Sequence, residues 1–444
     1  MSFSQRLHEI RDGFERPFWV ANISELFERL SYYGVQAVLA IYLHEVLKFS
    51  NAQAGDLIGY FGLIVWFLPI LGGSLADRFG FRRSLAFAYL ILALGYFLLG
   101  SLGSPWMAPV RSALPLSWLV RFVLLVPALG PAIVKPCVVG TTARASSENV
   151  RSLGYSIYYT LVNVGGTLGP MVAFVVRRSI GMENVFRVCA LSVLLMFFGV
   201  LFFYREPSRS GEQKIASVSE ALKNMLTVIG NFRFMLFLLI FSGFWVVFWQ
   251  EFISLPLYIR GYVNPNSDVD LLLTFGPLAV ILFQILVSFL TRGVRAFPAM
   301  TAGLLVTSLA WIILAVNNLS WQISAVLRLP PGFTIQITGI PVLAVVALFA
   351  VAIGEMIQSP RYYEYVSRLA PPGQQGTYMG YAFLPIGIGF FIAGAIGGRL
   401  LHYFGEVLHK PNQMWWVISG VGVFATLLMI IYDRVVKPSA QEPS

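Results

Sequence analysis

About a dozen apolar runs follow one another along this chain, separated by short polar breaks, and each has the roughly 20 residues needed to cross about 30 Å of hydrocarbon. No other feature constrains the fold as tightly. Lipid offers backbone amides no hydrogen bonds, so each segment must satisfy its own, which leaves helices or a closed barrel. The runs are too long and too glycine-rich for barrel strands, so an all-α membrane protein is expected. Composition agrees: 57% of the residues are hydrophobic and 12% charged, about half the charge of a soluble domain.

The runs fall near 18–46, 53–76, 84–103, 116–143, 153–176 and 184–204, then near 232–259, 270–291, 297–316, 340–366, 375–402 and 413–433. The hydrophilic interval 205–231 divides six from six, which predicts an N-terminal six-helix bundle over 1–204, a linker, and a C-terminal bundle over 232–444. Two six-helix halves are the pattern of secondary transporters. In the linker, Ser217 and Glu220 have capping-box spacing ahead of a short amphipathic stretch, which reads chiefly as a connection. Between segments nine and ten, Thr334-Ile335-Gln336-Ile337-Thr338 alternates beside Pro330-Pro331-Gly332, a pattern that fits a small hairpin.

The net charge of +10 does not gather into a nucleic-acid patch, because the basic residues lie between the apolar runs. With the N-terminus cytoplasmic, about 19 of the 31 Lys and Arg fall inside and about ten outside, so both termini are expected in the cytoplasm. Residues 1–17 lack the apolar core of a signal peptide. Cys137 and Cys189 sit in separate runs, so neither a disulfide framework nor a cysteine metal site is expected, and no metal or other cofactor is called for. Short loops suit a bacterial inner membrane and a monomer. H-E-x-x-H, G-x-S-x-G and P-loop patterns do not occur, so no catalytic residues are assigned and the chain does not read as an enzyme.

A charge near the bilayer centre costs about 2.5–3.5 kcal/mol, so each one kept there needs a partner or a wet cavity. The set is Glu25, Glu28 and Arg29 in the first run, Lys135 in the fourth, Glu251 in the seventh, and Glu355, Arg361 and Glu364 in the tenth. Glu25, Glu28, Arg29, Tyr32 and Gln36 share one helical face. Two carboxylates one turn apart repel unless a cation pairs with them, and such a cluster can load and release a proton or stand as a static salt-bridge knot. Lys135 precedes Pro136 in mid-run and requires a carboxylate, for which Glu355 is the best candidate, since runs four and ten correspond in the two halves.

These residues resemble the proton-coupled oligopeptide transporter family of the major facilitator superfamily, as a divergent member. Glu25-Leu26-Phe27-Glu28-Arg29-Leu30-Ser31-Tyr32-Tyr33-Gly34 is similar to the family's E-x-x-E-R-F-x-Y-Y-G signature except at Leu30. Gly73-Ser74-Leu75-Ala76-Asp77-Arg78-Phe79-Gly80-Phe81-Arg82-Arg83 resembles the superfamily loop after the second helix, with Phe81 where a basic residue is usual. Lys135-Pro136, the block Tyr158-Tyr159-Thr160-Leu161-Val162-Asn163-Val164-Gly165, Phe244-Trp245, and Gly354-Glu355-Met356-Ile357-Gln358-Ser359-Pro360 match further family segments. The resemblance implies the superfamily's twelve-helix fold and proton-driven uptake of di- and tripeptides. It places Glu25, Glu28, Arg29 and Glu355 in proton coupling. Tyr32, Tyr33, Gln36, Lys135, Asn163, Trp245, Glu355 and Arg361 would line the substrate site, and Gly73, Asp77, Arg78, Gly80, Pro136, Pro360 and Glu251 would serve gating or structure.

The departures fall where a peptide would be held. Gln36 stands where the family carries an arginine for the peptide carboxylate, Gly276 where it carries an asparagine, and Trp249 where it carries an acid. Glu251 lies about 200° around the helix from that acid's position and can replace it only if the helix is irregular there. Arg361-Tyr362-Tyr363-Glu364-Tyr365 replaces a small apolar stretch. A proton-coupled transporter or exporter of another small organic ion or drug-like solute, and a non-transporting substrate sensor, are the alternatives. The expected partners are a small solute, protons and the lipid bilayer.

Overall fold

The computed structural model describes residues 13–69, 79–207, 226–316, 319–329, 333–371 and 375–436. Twelve long helical segments run back and forth: α1 (Arg16–Ile41), α2 (Asn51–Phe67), α3 (Phe81–Ser101), α4 (Leu116–Arg144), α5 (Arg151–Ile180) and α6 (Glu183–Phe203) in the first half. The second half holds α7 (Phe232–Val263), α8 (Val269–Thr291), α9 (Ala296–Val316), α10 (Val342–Leu369), α11 (Tyr378–Val407) and α12 (Pro411–Val435). The segments α3 to α12 are each long and apolar enough to cross a bilayer. The described part of α2 has 17 residues, and α1 is less apolar because it carries Glu25, Glu28 and Arg29. Side chains such as Leu195, Phe202, Ile285, Phe289 and Leu427 point outward and exposed, as a hydrocarbon-facing surface requires.

Odd-numbered helices run from the end that carries α1's N-terminus, here the near end, to the far end; even-numbered helices return. Local sequence explains several boundaries. Pro17 opens α1, where its missing N–H costs nothing. Ser50 and Gln53 cap α2 reciprocally, Gln53 N–H donating to Ser50 Oγ at 3.2 Å and Ser50 N–H to Gln53 Oε1 at 3.1 Å. Gly80 precedes α3 at φ +83, a left-handed conformation that favours glycine, and a Cβ there would stand 2.8 Å from Glu206 Oε1. The α7 segment is interrupted at Trp249, between helical stretches Phe232–Phe248 and Gln250–Tyr258.

The halves meet along α2 and α11. A Cβ at Gly55 would overlap the Gly394 carbonyl, and one at Gly59 would stand 2.9 Å from the Phe391 carbonyl. In lipid, such backbone-to-backbone approach of small residues supplies the packing that water would otherwise drive. α5 and α8 make the second junction, near Gly166 and Pro277.

Between α9 and α10 stands the expected hairpin, β1 (Gln322–Leu329) against β2 (Phe333–Pro341), antiparallel. It docks on the far-end loop between α7 and α8. Ser267 Oγ donates to the Gly339 carbonyl at 2.6 Å, and Asn264 Nδ2 to Gln322 Oε1 at 2.7 Å. The linker's Ser217 and Glu220, and the hairpin tip Pro330-Pro331-Gly332, lie outside the described residues.

Candidate functional site

α1 packs so closely on α5 that a Cβ at Gly165 would stand 2.7 Å from the Leu26 carbonyl. That contact buries Glu25, Glu28 and Arg29, each 2% exposed or less. Arg29 forms an ion pair with Glu28, places its Nε 3.3 Å from Glu25 Oε1, and lies 5.0 Å from the Tyr32 ring centroid. One guanidinium thus faces two carboxylates and does not satisfy both. Both oxygens of Glu25 and Glu28 Oε1 accept no hydrogen bond among the described residues. A buried carboxylate oxygen without a donor is costly unless a proton or water reaches it.

Lys135 and Glu355 are not paired, contrary to the expectation. The Lys135 ammonium stands 3.7 Å from the Trp66 ring centroid and 5.6 Å from that of Phe383. The titratable side chains around it are Arg29, Glu25 and Glu28. Glu355 forms no ion pair with any described residue. The two indole and phenyl faces take the place of the missing anion, because an aromatic ring presents negative charge to a cation.

Around these charges the two halves touch through aromatic rings. Tyr33 lies 6.0 Å from Phe252, Trp66 lies 6.1 Å from Trp249, and Trp66 lies 6.2 Å from Phe383, centroid to centroid. Tyr33, Lys135, Pro136, Asn163 and Glu355 are half-buried although they sit deep in their helices, as residues lining a cleft are. Asn163 Nδ2 donates to its own helix at the Tyr159 carbonyl, 2.9 Å. Trp245 is 8% exposed, flanked by Phe244 and Phe248. Glu251 is 5% exposed, and its Oε2 lies 3.6 Å from where a Cβ at Gly276 would stand. The two helical stretches of α7 part at Trp249, two residues before Glu251.

Three expected cleft residues have partners of their own. Gln36 is buried and donates to the hydroxyl of Tyr32, itself buried, at 3.0 Å, so the two are committed to each other. Arg361, six residues from Glu355, is about 9 Å nearer the near end. It donates to Glu364 Oε2 at 2.9 Å and to the Thr291 carbonyl at 2.9 Å, joining α10 to the end of α8. Pro136 and Pro360 lie inside α4 and α10. Gly73, Asp77 and Arg78 lie outside the described residues.

Sequence reasoning missed the far end. Arg177 holds Asp270 by two hydrogen bonds at 2.7 and 2.9 Å and reaches Asp268 at 2.6 Å; Arg178 holds Asp268 by two more at 2.9 and 2.8 Å. The hairpin joins in: Thr338 N–H donates to Asp268 Oδ2 at 2.7 Å, and Arg178 to Thr338 Oγ1 at 3.2 Å. Arg260 pairs with Glu45 at 2.9 Å and Arg399 with Asp56 at 2.6 Å. These ion pairs all connect the first half to the second, and all lie at the far end. The ion pairs that join the two halves among the described residues therefore clasp the far end. The signal available beforehand was the twin pairs Arg177-Arg178 and Asp268/Asp270 at facing helix ends.

Two pseudo-equivalent bundles, clasped at one end around a cleft with buried charges, define a multi-pass membrane transporter of the alternating-access type. The chain belongs to the major facilitator superfamily, whose family model matches residues 22–343. Over 411 residues it is 23% identical to the multidrug resistance protein MdtH of Escherichia coli O157:H7, covering 92% of each chain. It is 29% identical over 225 residues to dipeptide and tripeptide permease B of Aliivibrio fischeri, covering 49% of this chain and 42% of that one. Its fold is that of solved POT family transporters. One, in complex with 5-aminolevulinic acid, superposes with a TM-score of 0.73 at 18% identity over 95% of this chain and 97% of that one. A peptide transporter POT in complex with sulfate gives a TM-score of 0.70 at 18% identity, covering 94% of both.

Proposed function

We propose that this protein is a proton-coupled symporter of di- and tripeptides or peptide-like small molecules, working as a monomer in a bacterial inner membrane with both termini cytoplasmic. The near end is then the cytoplasmic end, and the clasped far end faces outside. The observation that carries the reading is the buried Glu25, Glu28 and Arg29 cluster on a helix that lines the cleft, with carboxylate oxygens that lack donors. A proton taken up there satisfies such an oxygen and removes a buried negative charge, so occupancy of the cluster and the state of the cleft are linked. The relatives support the cargo: a dipeptide and tripeptide permease in sequence, and transporters solved with peptide-like ligands in fold. The test is uptake of labelled di- and tripeptides into proteoliposomes under an imposed pH gradient. Accumulation that collapses with the gradient is expected, and uptake indifferent to it refutes coupling.

A second reading, transport of another small organic ion or drug-like solute, is favoured by one observation. Gln36 is neutral and donates to Tyr32, and Arg29, the other basic candidate on that face of α1, is already held by Glu28 and Glu25, so α1 offers no uncommitted cation for a peptide carboxylate. The multidrug resistance relative aligns over nearly the whole chain. Competition by a panel of peptides and organic cations separates the two readings.

A further inference from the structure

α1 and α6 touch deep in the membrane and leave a groove between them toward the near end. Ser31 Oγ donates to the Cys189 carbonyl at 3.4 Å, and a Cβ at Gly34 would stand 3.4 Å from Cys189 Sγ. Nearer the end that carries Arg16, a cavity of about 420 Å³ lies between the two helices. Val20, Ile23 and Ser24 line it from α1, and Leu195, Phe198 and Phe202 are among the side chains that line it from α6. Gly199 is on the same wall, where a Cβ would meet nothing within 4 Å, so no side chain fills the space. The volume is that of a small-molecule site.

Ser24 is the one polar side chain among the described lining residues, and its hydroxyl already donates to the Ala21 carbonyl at 2.8 Å. An apolar space of this kind stays dry and takes hydrocarbon. On α6 the lining runs from Leu195 to Phe203, about 12 Å of helix, which fits within one leaflet of a core about 30 Å thick.

The rim of the groove is charged. Arg16 lies one turn before Val20 on the same face of α1, and its guanidinium carbon stands 5.6 Å from the ring centroid of Phe203, the last residue of α6. Arg16 is exposed and forms no ion pair with any described residue. Arg205, two residues beyond Phe203, is also exposed. Of the acids close by in sequence, Glu206 accepts from the Arg82 N–H at 2.8 Å, and Glu15 precedes the helix and lines no part of the groove. Trp19, exposed in the first turn of α1, sets the same level as the membrane interface, where indoles collect. An uncommitted cation at headgroup level above an apolar slot one leaflet deep is complementary to a phospholipid.

We propose that the α1–α6 groove binds one anionic phospholipid of the near-end leaflet, its phosphate on Arg16 and one acyl chain against Gly199. An apolar solute would fill the slot without needing Arg16, and a zwitterionic lipid would bring its own ammonium to the guanidinium. The site is independent of the cargo and of how transport is coupled.

The test mixes the full-length protein in dodecyl maltoside with equal amounts of dioleoyl phosphatidylglycerol and dioleoyl phosphatidylcholine, and counts the lipid retained per monomer by native mass spectrometry. One phosphatidylglycerol is expected to be held with about fivefold preference, the factor one basic residue supplies beside an anionic headgroup. Arg16→Gln should bring that preference below about twofold, and Arg16→Lys should keep it. Gly199→Phe, which fills the slot, should remove the retained lipid of either kind although Arg16 is still present. Should that variant not fold, Ile23→Trp narrows the slot from the α1 side and is expected to act the same way. Equal retention of the two lipids by the parent overturns the inference, as does a preference unchanged in Arg16→Gln or retention unchanged in the slot-filling variant. Thermal unfolding separates headgroup from chain. Phosphatidylglycerol should raise the midpoint of the parent and not of the slot-filling variant, whereas an equal rise from inorganic phosphate alone overturns the role given to the groove.

Discussion

Replacing Asp268 with asparagine should shift the molecule from its far-end-closed state toward one open at that end. The Asp268 carboxylate is fully buried and accepts from Arg177 at 2.6 Å, from Arg178 at 2.9 and 2.8 Å, and from Thr338 N–H at 2.7 Å. Asparagine keeps one acceptor oxygen and turns an NH2 toward two guanidinium groups. Removing one partner of a buried ion pair costs about 3–5 kcal/mol. Two features lower the figure here: Arg177 keeps its two hydrogen bonds to Asp270, and the Arg178 side chain is 38% exposed, so solvent already screens it. A loss of about 2–3 kcal/mol remains, which moves the ratio of the two states by roughly 30- to 150-fold. Spin labels at Lys48→Cys and Asn266→Cys, both exposed far-end positions on opposite halves, report that ratio as an interlabel distance, with the buried Cys137 and Cys189 replaced. A longer-distance population should grow in Asp268→Asn. Distance distributions that superpose on the parent's, even after Asp270→Asn is added, would show that these ion pairs do not hold the far end shut.

Three further outcomes follow from the geometry. Glu25→Gln or Glu28→Gln should abolish accumulation against a gradient while leaving solute exchange within about threefold, since each removes a titratable oxygen without changing shape; accumulation retained in both variants counts against a proton site at the cluster. Lys135→Ala should lower uptake by about tenfold or more, because a desolvated cation–π contact is worth about 2 kcal/mol; normal uptake removes Lys135 from the mechanism. Gly55→Leu should lower the midpoint of thermal unfolding by overpacking α2 on α11, at a cost of about 1–3 kcal/mol or more, whereas Gly261→Leu, with open space at its Cβ, should not. Equal midpoints for the two variants would sink the packing argument.

The helices were legible because lipid leaves the backbone so few options. Even Arg16–Ile41 announced itself despite three buried charges, since its apolar flanks are long enough to carry them. Local motifs were also legible, including the hairpin alternation around Thr334 to Thr338. The pairings were harder to read. Lys135 was given a carboxylate by charge logic, but an ammonium can also be held by ring faces, and neither the depth of Trp66 nor its closeness to Lys135 shows in the sequence, 69 positions apart. Gln36 shares a helical face with Glu25 and Arg29, yet its side chain is committed to the Tyr32 hydroxyl, and face periodicity does not reveal such a commitment. The ion pairs at the far end involve residues that read individually as topology signals; only the meeting of α5 with α8 makes them a clasp.

The placement of charge along single helices suggests how cleft and clasp are connected. α1 carries Glu25, Glu28 and Arg29 at cleft depth and runs directly into Glu45, which pairs with Arg260 at the far end. Arg260 ends the same α7 segment that carries Trp245 and Glu251, and Trp249 between them interrupts the helix. A cargo that bridges the charges of the two halves would draw α1 and α4 toward α7 and α10 on the near side. α2 and α11 are fixed to one another by glycine contacts that leave no slack, so that approach converts into separation beyond the pivot, where Arg260–Glu45 and Arg177–Asp268 must break. Cargo alone then opposes several ion pairs. Neutralising a carboxylate at Glu25 or Glu28 alters the field around Arg29 and Lys135 at the same moment, which is why the proton and the cargo belong to one conformational step on the proposed cycle.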